Sequence, residues 1–152
     1  MQELVQKSQF RISLAEPKLL KECINSISDL INEGNLKINK EGMEIIALDS
    51  ANVAMVSFFM EKNAFTEFKV EEDHMLGINF GNLKQMLKRL KGEDVLDISF
   101  EEGKVKLSMI GNTNRDFSLP IIDIDEKEQK MPKLEFPISV EVPSSLLSEA
   151  IY

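Results

Sequence analysis

The sequence predicts an α+β fold in which a largely antiparallel sheet carries two amphipathic helices on one face. Three observations predict it. Many short stretches alternate apolar and polar residues, as half-buried strands do. Two stretches have helical spacing instead, and a run of strands separates them, so helices and strands do not alternate one for one. Turns of hairpin length join most of the strands, which favours antiparallel neighbours. With 152 residues, 43% of them hydrophobic, the chain suits a domain with a real core.

Residues 10–15 alternate like a strand, and Pro17 is placed as a first helical residue. From Lys18 to Asn32 the apolar residues Leu19, Leu20, Cys23, Ile24, Ile27, Leu30 and Ile31 define one helical face about 140° wide. Gly34 reads as the stop that follows. Strand-like pieces come next at Leu36–Asn39, Met43–Leu48, Val53–Met60, Phe65–Val70 and Met75–Asn79. Residues 80–91, FGNLKQMLKRLK, form the second amphipathic helix, with Leu83, Met86, Leu87 and Leu90 inward and Gly92 as its stop. Three more strands follow at Val95–Phe100, Lys104–Met109 and Arg115–Leu119.

Residues 120–135, PIIDIDEKEQKMPKLE, break this pattern and read as an extended connector after a domain of residues 1–119. Past the connector the opening motif returns. Phe10, Ile12, Ser13, Leu14 and Pro17 match Phe136, Ile138, Ser139, Val140 and Pro143 at one constant offset, and a Leu-Leu pair follows in each case. Residues 136–152 thus read as the first strand and opening helical turns of a duplicated domain.

Composition excludes several functions. No apolar run approaches the ~18 residues of a membrane span. MQELVQKSQF lacks the apolar core of a secretory signal, so export is not expected. The single cysteine, Cys23, excludes an internal disulfide and reads as core. Asp123, Asp125, Glu126 and Glu128 are acidic enough to raise a metal site, but they lack the spacing of a calcium loop and read as linker. There is no phosphate-binding glycine loop, no nucleophile elbow and no zinc-protease motif. With one histidine, His74, no enzyme and no cofactor are expected.

The net charge of −8 argues against nucleic acid, but its distribution argues the other way. On the second helix Lys84, Lys88 and Lys91 fall within about 60° of one another. On the first, Lys18 and Lys21 lie opposite the buried face. Two solvated helix faces, or one modest basic surface that contacts phosphates without reading bases, both fit this pattern.

Four blocks occur in order along the chain. They are Asp29-Leu30-Ile31-Asn32, then Gly42-Met43 through Ala47-Leu48-Asp49-Ser50-Ala51-Asn52-Val53, then Leu76-Gly77-Ile78-Asn79, and last Ile121-Ile122-Asp123-Ile124-Asp125 through Met131-Pro132. With these blocks, residues 10 to 152 resemble the processivity sliding clamps of archaea and eukaryotes, the proliferating cell nuclear antigen family. The resemblance implies antiparallel sheets on the outside of a ring and helices on its inner face, around double-stranded DNA. It implies three subunits, as a homotrimer or heterotrimer, in the cytoplasm of an archaeon or the nucleus of a eukaryote.

Carried over by resemblance, Lys21, Lys84 and Lys88 face DNA, with Lys18 and Lys91 nearby. Ser28 and Gln85 stand where family members often have lysine, so part of the basic lining is missing or displaced. The resemblance also implies a pocket for short peptides of DNA polymerase, clamp loader, flap endonuclease and DNA ligase. Leu48, Val53 and Met55 would form one side, Met131 and Pro132 the connector side, and Asn52 and Gln129 the rim. From the pattern alone, Leu48, Val53 and Met55 read as core. Arg115, Phe117 and Leu119 mark the edge strand that pairs with a neighbouring subunit.

A second reading is a peptide-binding adaptor, or a clamp segment that encircles nothing. In the family the edge strand pairs with a second domain, which is barely begun by residue 152. The chain is therefore expected to be a piece of a longer protein or a short variant, and by itself a monomer or weak aggregate.

Overall fold

The computed structural model describes residues 9–124 and 132–152. Nine strands and three helices follow in order: β1 (Phe10–Leu14), α1 (Lys18–Leu30), β2 (Glu33–Asn39), β3 (Gly42–Leu48), β4 (Met55–Glu61), β5 (Glu67–Lys69), β6 (His74–Asn79), α2 (Phe80–Leu87), β7 (Val95–Glu101), β8 (Lys104–Ile110), β9 (Asn114–Pro120) and α3 (Ser144–Ile151). The strands form two sheets, where alternation alone suggested one and the resemblance implied more than one. The first has the order β5-β1-β7-β8-β9 and the second β4-β3-β2-β6. Every pairing is antiparallel.

Strict alternation on each strand builds the core. On β2, Leu36 and Ile38 are buried between half-buried polar residues, and β8 does the same with Val105, Leu107 and Met109. Leu20, Ile24 and Ile27 of α1, with Ile31 just beyond it, and Phe80, Leu83 and Leu87 of α2 close over them. A void of about 20 Å³, lined by Leu20, Ile24, Met43, Leu83, Ile98 and Leu119 among others, marks where both helices and both sheets meet. It is lined only by apolar side chains, so water has nothing to bond there.

Several sequence expectations need correction. The first helix ends at Leu30 and not Asn32, because Ile31 is already extended at φ −121°, ψ 119°. Gly34 lies inside β2 and does not stop the helix. Its lack of a side chain admits the Phe80 ring, which would sit 3.0 Å from a Cβ at that position. The buried face of α1 is narrower than expected: Leu19 and Leu30 are 62% and 55% exposed, and Cys23 is half-buried. The second helix ends at Leu87, with looser turn bonds from Arg89 N–H to Met86 O and Leu90 N–H to Leu87 O. Lys88 and Lys91 therefore sit on a turn, not on a helical wheel.

Residues 136–140 were expected to form a strand, but none of them has a ladder partner among the described residues. Residues 132–152 are all exposed, and α3 buries none of its side chains. No helix among the described residues is long and apolar enough to cross a membrane.

Candidate nucleic-acid interface and peptide site

Pro17, buried, precedes α1 and accepts the Lys21 N–H on its carbonyl at 3.0 Å. That bond places Lys18, exposed, and Lys21, half-buried, in the first turn. Asn79 caps α2, its side-chain oxygen accepting the Asn82 N–H at 2.9 Å. α1 and α2 pack side by side. Past α2 the chain is turned by Asp94, which is 3% exposed and accepts the Lys91 N–H at 2.8 Å. That backbone bond holds the Asp94 carboxyl below the usual carboxylate range, burial opposes it, and Arg115 adds to it.

The start of α1 and the turn after α2 enclose a groove of about 540 Å³, lined by Lys18, Lys21 and Lys91 together with Glu16 and Glu22. Three of the five expected lysines thus meet in one place. Lys88 is exposed on the turn that leads to this groove. Lys84 is diverted: its ammonium lies 3.8 Å from Asp29 of α1, and its side chain is only 25% exposed. Glu16 and Glu22 temper the positive charge of the groove.

At the loop end of the β3–β4 hairpin, Leu48 is registered opposite Met55, and both are half-buried. Val53 was expected in the following strand, on one face with Met55. It instead lies in the loop before β4 and is 84% exposed. The reason is Asp49, whose carboxylate accepts the N–H of Val53 at 2.8 Å and of Ala54 at 3.1 Å. Those bonds turn the chain back, and Asn52 takes a left-handed φ of 57°. Asp49 was the residue that sequence reasoning missed. An Asp opening a short polar stretch between two apolar runs was the available signal. Pro132 is exposed, whereas Gln129 and Met131 lie outside the described residues. Asp123 is exposed, and Asp125, Glu126 and Glu128 also lie outside them.

β9 pairs only with β8 among the described residues, so its other side is an open edge. The three side chains expected at a subunit contact turn inward. Arg115 donates to Asp94 and, at 3.1 Å, to the Arg89 carbonyl. Phe117 packs on the core, and Leu119 is 1% exposed. The edge presents its backbone and the alternate residues Asn114, Asp116 and Ser118 instead.

A family model for the N-terminal domain of proliferating cell nuclear antigen matches residues 9–130. The chain is 36% identical over 128 residues to DNA polymerase sliding clamp 1 of Pyrobaculum aerophilum, covering 84% of this chain and 51% of that protein. It is 32% identical over 143 residues to the DNA polymerase sliding clamp of Thermococcus fumicolans, covering 93% and 57% respectively. The crystal structure of proliferating cellular nuclear antigen from Entamoeba histolytica superposes with a TM-score of 0.79 at 26% identity, over 83% of this chain and 52% of that one. The Thermococcus kodakaraensis structure, at 23% identity and a TM-score of 0.78, shares the fold. The chain spans about half the length of the curated relatives it matches. By its matched domain and its two-sheet, two-helix fold, this chain belongs to the proliferating cell nuclear antigen family.

Proposed function

We propose that this chain supplies the N-terminal half of a DNA polymerase sliding clamp, a protein that performs no chemistry of its own. Its α1–α2 face lies toward duplex DNA, and its sheets face outward toward partner enzymes. The observation that carries this reading is the convergence of Lys18, Lys21 and Lys91 on one groove in a chain of net charge −8. Basic residues gathered at one place on an acidic molecule favour a polyanion there. Lysine contacts to phosphate are sequence-blind and exchange with counterions, so they hold DNA loosely enough to slide. A ring, homotrimeric or heterotrimeric, turns that weak hold into a lasting one by topology, and the open β9 edge supports such a contact. Leu48, Met55 and the exposed Val53, with the connector, would receive short peptides of DNA polymerase, clamp loader, flap endonuclease or ligase.

The test is a fluorescence-anisotropy titration of short labelled duplexes against salt. Two unrelated sequences should bind alike. The double variant Lys18→Ala/Lys91→Ala should lower the slope of log affinity against log salt by about two units, one per phosphate contact. An unchanged slope would remove the lysines from DNA. A glutamine-containing clamp-binding peptide should still bind that variant and bind Leu48→Ala less well. If the peptide binds while DNA does not, the adaptor reading prevails. It is favoured by one observation, the two glutamates that share the groove.

A further inference from the structure

Lys84 does not line the groove that Lys18, Lys21 and Lys91 share. Its ammonium lies 3.8 Å from a carboxylate oxygen of Asp29, and its side chain is 25% exposed against 70% for Asp29. The two helices run in opposite directions. The Phe80 N–H donates to the Asn32 carbonyl at 2.8 Å, which sets the start of α2 beside the end of α1. The start of α1 and the turn after α2 meet at the groove. The helix pair thus carries three lysines at one end and Lys84 toward the other.

Asp29 belongs to the side of α1 that carries Lys18. Lys18, Glu22, Asn25 and Asp29 fall within about 60° of one another on the helix, and all four are exposed. Asp29 stands about 16 Å along the axis from Lys18. Helix stability does not explain it. The last turn of α1 holds no basic residue, and a carboxylate there opposes the helix dipole. Nor does the ion pair do much to join the helices. An exposed pair is screened by solvent, whereas Leu20, Ile24, Leu83 and Leu87 bury the apolar faces. The pair changes what charge the surface presents. A phosphate that approaches Lys84 meets a carboxylate beside it, and the two charges cancel toward solvent.

We propose that Asp29 masks Lys84 from the DNA backbone, so that the chain binds duplex through its groove lysines and not through Lys84. This rests on the DNA-facing reading above. The mask lowers affinity without abolishing it, because the pair that makes it is weak. Withholding one phosphate contact also lessens the hold that sliding has to break.

The test is a double-mutant cycle, read by anisotropy titration of a labelled duplex against salt. It compares the parent chain, Asp29→Asn, Lys84→Gln and the double variant. Asp29→Asn should raise the slope of log affinity against log salt by about one unit, one added phosphate contact. Its affinity at fixed salt should rise by up to about fivefold, the strength of an exposed pair. Lys84→Gln should leave the parent slope unchanged and should cancel the gain in the Asp29→Asn background. A gain that survives Lys84→Gln would show Asp29 repelling phosphate directly, and would overturn the mask. A parent slope that falls by one unit in Lys84→Gln would overturn it too, since Lys84 would already hold a phosphate. A pair that only ties the helices would lower the melting temperature of Asp29→Asn and leave its slope alone, which is the third overturning result. Lys18→Ala/Lys91→Ala in the same assay separates this proposal from the groove. If that slope stays put while the cycle behaves as expected, the groove assignment fails and the mask stands. No duplex binding by any of these proteins would overturn the DNA reading and the mask together.

Discussion

His74 is the one titratable ring in the core. It is 6% exposed, its Nε2 has no hydrogen-bond partner among the described residues, and its ring stands edge-on to Phe10 at 4.9 Å and to Phe100 at 5.8 Å. Burial pushes its pKa below the usual histidine value, while Glu72 and Asp73 pull weakly the other way. The folded state therefore resists a proton that the unfolded state accepts. Stability should be fully present above about pH 6.5 and fall as pH drops below it. Urea unfolding on both sides of that value should show the loss, and His74→Phe should flatten it. If the two proteins lose stability in parallel, His74 is not the cause. Asp49 is a second residue with a disproportionate role, because it closes the β3–β4 loop through two backbone N–H groups. Asp49→Ala should cost about 1–2 kcal/mol in urea melts, and Asp49→Asn, which keeps an acceptor, clearly less.

Among the elements, β9 and the turn after α2 are tied to each other. Arg115 joins them through Asp94 and the Arg89 carbonyl. Gly111 allows the junction, since a Cβ there would strike the Asp94 carboxylate. Asp94 has only 4% of its side chain exposed, so removing Arg115 strands a buried carboxylate. The exposed pair Lys106–Asp116, 3.8 Å apart on the same sheet, gives the contrast. Arg115→Ala should lower the melting temperature well beyond Lys106→Ala, whose ion pair is screened by solvent. Equal shifts in a thermal melt would show that the junction holds nothing. Much at this scale was legible in the sequence, because alternation and helical spacing report which faces are wet. The ends of α1 and α2 were not. Gly34 and Gly92 look like stops, yet α1 ends where Ile31 turns into the core, and α2 gives way to turns well before Gly92.

In the whole molecule, residues 9–124 close around one core, whereas the described residues beyond the connector bury nothing. Leu134, Phe136, Ile138, Val140 and Val142 alternate along that stretch and are all exposed, as are Leu146, Leu147 and Ile151 of α3. Apolar surface of that extent seeks a partner, and the open edge of β9 offers backbone groups to pair with. The chain should self-associate weakly as its concentration rises. Phe136→Lys with Ile138→Lys should suppress that in analytical ultracentrifugation. Association that persists in the double variant would place the contact elsewhere, and a stable trimer of the parent chain would overturn the expectation of a weak one.

The sequence by itself determined most of the strands, the first two helices and much of the core, since burial of an amphipathic face needs only local spacing. It also carried the family, through four blocks in order, and it marked the lysines. Tertiary structure decided how those lysines are used. Lys84 faces Asp29 while Lys18, Lys21 and Lys91 share a groove, because residues far apart in the chain are brought together only when α1 and α2 pack. It likewise turned Arg115, Phe117 and Leu119 inward, lifted Val53 out of its strand and laid Ile122 on Gly77. Each depends on a partner distant in sequence, or on a hydrogen bond that a period-two or period-3.6 pattern does not encode.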